Sequence, residues 1–243
     1  MKNPLVGFKK REIFIWALSV AIITASFFIG EDKNYVSLAA SLIGATALIL
    51  NAKGDFIGQF FMIAFAVLYA VVSYTEAYYG EMITYLGMSL PSGVISAVIW
   101  IKNTSDKSKR EVKINRVSAR GHVIIFLLTV VVTVAFYFIL GVLNTNNLIV
   151  STVSVATSFL ASAYTFLRSP YFGLAYAAND VVLIVLWSMS VAEDLSYLPM
   201  LMCFVAFLIN DVYSFVNWLR MKKAQNEAIP LVAEEEEGEV DAE

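Results

Sequence analysis

Hydrophobic positions run along this chain in eight long blocks broken by short polar stretches: Ile13 to Ile29, Tyr35 to Leu50, Phe56 to Tyr74, Met82 to Trp100, His122 to Leu143, Leu148 to Leu167, Tyr171 to Ala192 and Leu195 to Leu219. A helix needs roughly 20 residues to cross the hydrocarbon of a bilayer. Most blocks reach that length, and the second, at about 16 residues, is marginal. The pattern predicts an all-α polytopic membrane protein with about eight spans, seven being the alternative count. No small-residue cleavage site follows the first block before "EDKNY", so it is expected to stay as a helix rather than be removed as a signal peptide.

Composition sharpens this into a membrane class. The chain is 59% hydrophobic, 14% aromatic and only 15% charged, against ~45–50% apolar for a soluble domain. Charge then gives an orientation. If Lys2, Lys9, Lys10 and Arg11 are cytoplasmic, eight crossings put Lys53, the loop "IKNTSDKSKREVKINRVSAR", Arg168 and Arg220 to Lys223 on that same side. Of the 17 basic residues only Lys33 falls opposite, among the loops "EDKN", "TEAYYGE", "NTNN" and "AEDL". This is the positive-inside pattern, and it predicts both termini in the cytoplasm of a multi-pass inner-membrane protein. The net charge of −3 conceals an acidic end: Ala224 to Glu243 hold eight acids and no base, leaving 17 basic against 12 acidic residues elsewhere. That tail is predicted to be solvated and disordered. One cysteine, Cys203, and one histidine, His122, exclude a disulfide framework and a Cys/His metal site. No cofactor or metal is expected.

The chain also carries a weak internal duplication. "ISAVIWIK" closes the fourth block and "YSFVNWLR" the eighth, pairing Ser96 with Ser214, Val98 with Val216, Trp100 with Trp218 and Lys102 with Arg220 at one common offset of 118 residues. The segment from Val36 aligns with that from Val150 with one residue of slippage. The predicted organisation is an N-terminal helix (1–29), a first three-helix repeat (35–100), a basic cytoplasmic loop with a linker helix (101–143), a second three-helix repeat (148–219) and an acidic cytoplasmic tail (220–243). Both halves enter the membrane from the same side, so the repeats are parallel, related by an axis along the membrane normal.

Two blocks carry an Asn-Asp pair in mid-span: Asn179-Asp180 in "YFGLAYAANDVVLIVLW" and Asn210-Asp211 in "CFVAFLINDVYSFVNW". A carboxylate there costs ~2.5–3.5 kcal/mol on insertion scales, so it faces a protein-lined or wet cavity rather than lipid. Asp180 lies ~18 Å beyond Arg168 and Asp211 ~13.5 Å before Arg220, near the centre of a ~30 Å core. Helical spacing puts Tyr176, Asp180, Leu183 and Trp187 on one face with Asn179 at its border, and groups Asn210 and Asp211 with Ser214 and Trp218. The two pairs are expected to converge and satisfy each other's polar groups. Tyr69 and Tyr85 stand at comparable depth in the first half, with Gln59 nearer the cytoplasm. Pro91-Ser92-Gly93 is predicted to kink the fourth span. Ser151, Ser154, Ser158, Ser162 and Thr165 form a hydroxyl stripe suited to tight packing or to a polar pathway.

The candidate substrate-binding residues are therefore Tyr176, Asn179, Asp180, Trp187, Asn210, Asp211, Ser214, Tyr69 and Tyr85. The plainer alternative makes the Asn and Asp residues interhelical glue. Trp16, Trp100 and Trp218, near span ends, are assigned to the interfacial aromatic belt. Aromatic walls with amides and carboxylates suit a flat heterocycle bearing hydroxyls. Asparagine both donates and accepts, and a cationic ring gains roughly 0.5–2 kcal/mol over an aromatic face.

Three helices, a linker, three more helices, an extra N-terminal helix and a closing pair reading "ANDVVLIVLW … YLPMLMCFVAFLINDVYSFVNW" resemble the PnuC family of vitamin transporters over nearly the whole chain, most strongly from Tyr171 to Trp218. The resemblance implies a SWEET-like fold in the opposite membrane orientation and facilitated diffusion of a small-molecule substrate. Nicotinamide riboside leads, with thiamine, a deoxyribonucleoside or riboflavin as alternatives. It further implies trapping by phosphorylation through a cytoplasmic ribosylnicotinamide kinase. The family's corresponding helix is rich in tryptophan, whereas here Tyr176 precedes Asn179 and Trp187 alone follows. The lipid bilayer is the other partner; no nucleic acid is expected, and homo-oligomer formation is left open.

Other membrane functions fail on specific absences. A retinal pump needs a lysine inside its last span, an intramembrane aspartyl protease needs "YD" and "GxGD", and a rhomboid-like protease needs a histidine deep in a span with its serine. A membrane sensor without transport is the alternative of another class, and no enzyme activity is expected.

Overall fold

The computed structural model describes residues 8–29, 33–105 and 108–240. Its helices fall one on each predicted block: α1 Lys10–Phe27, α2 Tyr35–Ala52, α3 Ile57–Thr75, α4 Tyr79–Lys102, α5 Ala119–Val142, α6 Leu148–Phe166, α7 Tyr171–Glu193 and α8 Leu198–Val240, the last entered through a 3-10 turn at Leu195–Tyr197. Among the described residues seven, α2 to α8, are long and apolar enough to cross a membrane. The 18-residue α1 opens on Lys10, Arg11 and Glu12, which interrupt its apolar run. Local chemistry sets several boundaries. The Asn34 side chain accepts from Ser37 N at the start of α2, and Ser118 Oγ accepts from Gly121 N at the start of α5, each satisfying a donor that the first helical turn leaves free.

Three local expectations are corrected. The basic loop is not wholly irregular: β1 Thr104–Ser105 and β2 Ser108–Val112 pair as a small antiparallel hairpin. Gln225 of α8 holds it, accepting from Ile114 N and donating to Val112 O and Glu111 Oε1. Val112 N also donates to Gly54 O in the α2–α3 turn. Second, "TEAYYGE" is not all loop, because α4 begins at Tyr79 and Glu81 is fully buried. Third, helical backbone continues to Val240 through the segment whose composition predicted disorder. Glu and Ala, which dominate that segment, are strong helix formers.

Helix α4 carries a π-helical turn at Tyr85–Ser89. Its cause is Pro91, which has no N–H to offer the carbonyl of Gly87, so the ladder shifts register there. The sequence predicted a kink at Pro91-Ser92-Gly93; the structure shows a π-helical turn just before it and regular α-helix through it.

Helix α2 packs on α1, α3 and α8, α7 on α6 and α8, and α4 on α3 and α6. Helix α5 leans chiefly on α6 and leaves Val123, Phe126, Val131 and Phe138 exposed, an apolar surface suited to hydrocarbon. The core divides into two clusters. One gathers Phe65, Tyr69, Tyr85, Trp187, Phe204 and Phe207, and the other gathers Trp100, Phe172, Trp218 and hairpin residue Val112.

The second cluster overturns the belt assignment of two tryptophans. Trp100 and Trp218 are both fully buried, with ring centroids 5.3 Å apart. Trp218 Nε1 donates to Asn51 O of α2 at 3.0 Å, and Trp100 Nε1 to Thr165 O of α6 at 3.4 Å. Position near a span end says nothing of the direction a ring faces, and the docked hairpin covers these two. Trp16 is half-buried and donates to Thr46 Oγ1.

Candidate functional site

The site is built where α7 meets α8. Gly173 permits a backbone approach there: a Cβ at this position would stand 2.8 Å from both Asp211 O and Phe215 N. This contact sets Asp180 of α7 facing Asp211 of α8, close enough for the carboxyls to interact. Both are buried, and apart from the contact between the two carboxyls, Asp180 Oδ2, both Asp211 oxygens and the nearby Ser214 Oγ have no hydrogen-bond partner. Buried polar atoms are normally paired, so this concentration of open acceptors marks the place as unlike ordinary packing.

The structure brings the two carboxyls together but not the two amides. Asn179 turns to the hydroxyl stripe of α6, where its Oδ1 accepts from Ser154 Oγ at 3.3 Å, Thr157 Oγ1 at 2.7 Å and Ser158 Oγ at 3.1 Å. Asn210 turns to α1, its Nδ2 donating to Ser19 Oγ at 3.2 Å and to Ala206 O at 2.7 Å. In this arrangement both amides tie helices together.

Above the carboxyls, away from the hairpin, the aromatic candidates close into one cluster. Tyr69 and Tyr85 have ring centroids 4.2 Å apart, and Tyr69 lies 5.9 Å from Trp187 and 5.4 Å from Phe204. Trp187 Nε1 donates to Tyr69 Oη at 2.8 Å, and Tyr69 Oη in turn donates to Glu81 Oε2 at 3.4 Å. Towards the hairpin, Tyr176 stands beside Thr165 and Ser162 and lines a small cavity with Asn51, Gln59, Ser89 and Ser92. Its volume is about 20 Å³, room for one water. Gln59 Nε2 donates to Asn51 Oδ1 at 3.0 Å across it. A larger apolar groove of about 440 Å³ runs between the π-turn and α6, lined by Met88, Pro91, Phe159 and Phe166 among others.

Sequence reasoning missed Glu81, Tyr78 and Asn51. The first two had a readable signal: Tyr78, Glu81 and Tyr85 recur at the three- and four-residue spacing of one helical face, hidden once the segment was taken as loop. Asn51 sits at the end of α2 and becomes interesting only through its tertiary partners. Among the described residues no lysine, arginine or histidine is buried, whereas Glu12, Asp55, Glu81, Asp180 and Asp211 are.

Comparison with known proteins matches this architecture to transporters. A nicotinamide riboside transporter PnuC from Neisseria mucosa is 26% identical over 88% of this chain and 86% of its own length. The PnuC of Haemophilus influenzae is 24% identical over 90% of this chain and 94% of its own. Both are named as transporters, not enzymes. A solved structure, described as the crystal structure of the vitamin B3 transporter PnuC, superposes with a TM-score of 0.79 at 24% identity, covering 90% of this chain and 94% of the other, so the two share a fold. The profile of the family described as Nicotinamide mononucleotide transporter matches residues 34–220, from the start of α2 into α8. The chain belongs to that family.

Proposed function

We propose that this chain carries nicotinamide riboside across the membrane by facilitated diffusion. The observation that carries the reading is the interior itself: aromatic rings and buried acids with no buried base among the described residues. A flat pyridinium ring suits aromatic faces and carboxylates. The mononucleotide fits less well, because its phosphate would need cationic or clustered N–H partners, while Asp180 and Asp211 would repel it. Thiamine, a deoxyribonucleoside and riboflavin are the competing cargoes. The proposed path runs through the nine candidate residues, with both termini cytoplasmic and a cytoplasmic ribosylnicotinamide kinase trapping the product.

The proposed mechanism uses two parallel three-helix halves, 35–100 and 148–219, moving against each other. Support for two related halves comes from the reciprocal tryptophan bonds that join them on the hairpin side: α4 of the first half donates to α6 of the second, and α8 of the second donates to α2 of the first. The test is uptake of labelled nicotinamide riboside into vesicles containing only this protein. Saturable uptake that excess unlabelled riboside competes away, and excess mononucleotide does not, is expected. Binding without uptake would favour a sensor, and uptake of the mononucleotide alone would refute the assignment of cargo.

A further inference from the structure

Resting on the reading that the cargo is a riboside with a cationic ring, we propose that Glu81 is a substrate-binding residue, the carboxylate that recognises the positive ring at the end of the path away from the hairpin. Glu81 is 0% exposed. Its Oε2 accepts the long hydrogen bond from Tyr69 Oη, and its Oε1 has no partner. Ser154 stands beside it, its hydroxyl placed between Glu81 and Asn179 Oδ1, which it reaches at 3.3 Å. A fully buried carboxyl with an open oxygen and, among the described residues, no buried base to pair with is a costly feature for packing alone.

What surrounds Glu81 gives it a use. Tyr69, bonded to it, is the centre of the cluster formed with Tyr85, Phe204 and Trp187. Aromatic faces beside a carboxylate make the chemistry that selects a flat organic cation over its neutral counterpart. Tyr85 lies within electrostatic reach of both Glu81 and Asp180. Glu81 is therefore an outer station and the Asp180–Asp211 pair an inner one, with Tyr85 between them. The Trp187–Tyr69–Glu81 chain holds the outer carboxylate in place.

The experiment titrates the purified full-length protein with nicotinamide riboside and with its reduced dihydropyridine form, which keeps the amide and ribose but loses the ring charge. Wild type is expected to prefer the cation at least tenfold. Glu81→Gln should lose most of that preference while binding the neutral form within about threefold of wild type, and Glu81→Asp should keep it. Tyr69→Phe, which releases the carboxylate, should lose a smaller part. If Glu81→Gln retains the full preference, or if Glu81→Gln fails to fold and Tyr69→Phe keeps the full preference, the inference is wrong and the inner pair reads the charge. If wild type binds neither riboside, the proposed cargo falls; thiamine, also a cationic ring, then serves as the probe for the same three variants, and an unchanged thiamine affinity in Glu81→Gln overturns the role of Glu81 separately.

Discussion

At the scale of single residues, the two asparagines differ in what they hold. Asn179 Oδ1 is the shared acceptor for hydroxyls of Ser154, Thr157 and Ser158. Thr157 has backbone carbonyls of its own helix to fall back on and Ser154 has Glu81 beside it, whereas Ser158 donates to Asn179 alone among the described residues. Asn179→Leu should therefore lower stability by the ~1–3 kcal/mol that follows when buried donors lose their partner, read as a fall in thermal midpoint in detergent. A variant melting with wild type would show that the stripe repacks freely. The mid-span acids were legible in the sequence because a charge inside an apolar block contradicts its surroundings. The divergence of the asparagines was not, since the choice of neighbour depends on how α7 and α8 rotate against α6 and α1. Glu81 was hidden for a related reason: it sits at a block edge, where a carboxylate looks ordinary.

At the scale of elements, helix positions were readable almost throughout, because bilayer thickness fixes the apolar length a span must have. The hairpin was not readable, since short strands rich in Lys, Arg and Ser have little intrinsic preference for pairing. It is held instead by Gln225 and Gly54, remote in sequence. The most constrained contact between elements is that of α7 and α8 at Gly173. Gly173→Ala would press a methyl group onto the α8 backbone, an overpacking worth ~1–3 kcal/mol, and would part the two carboxyls. Reduced thermal stability together with slowed uptake is expected. Normal uptake in Gly173→Ala would mean that the close approach is not needed for transport.

At the scale of the whole molecule, the tryptophan pair, the hairpin and the long helix α8 lock the two halves together on one face, while the aromatic cluster closes the path on the other. Between them lies an interior whose buried ionisable groups, among the described residues, are all acids. That one-sidedness has an electrical consequence. A cation moving through such a path without a counter-ion carries its charge across the membrane potential, worth ~2.3 kcal/mol per elementary charge per 100 mV. An interior negative by 100 mV would thus draw in the riboside to about 50-fold its outside level with no ion gradient coupled to it, at 1.4 kcal/mol per tenfold. Imposing a potassium diffusion potential on the vesicles should raise accumulation by that order, and reversing its sign should suppress it. Accumulation indifferent to voltage would mean that the charge is neutralised during transit, by a proton leaving or an anion following.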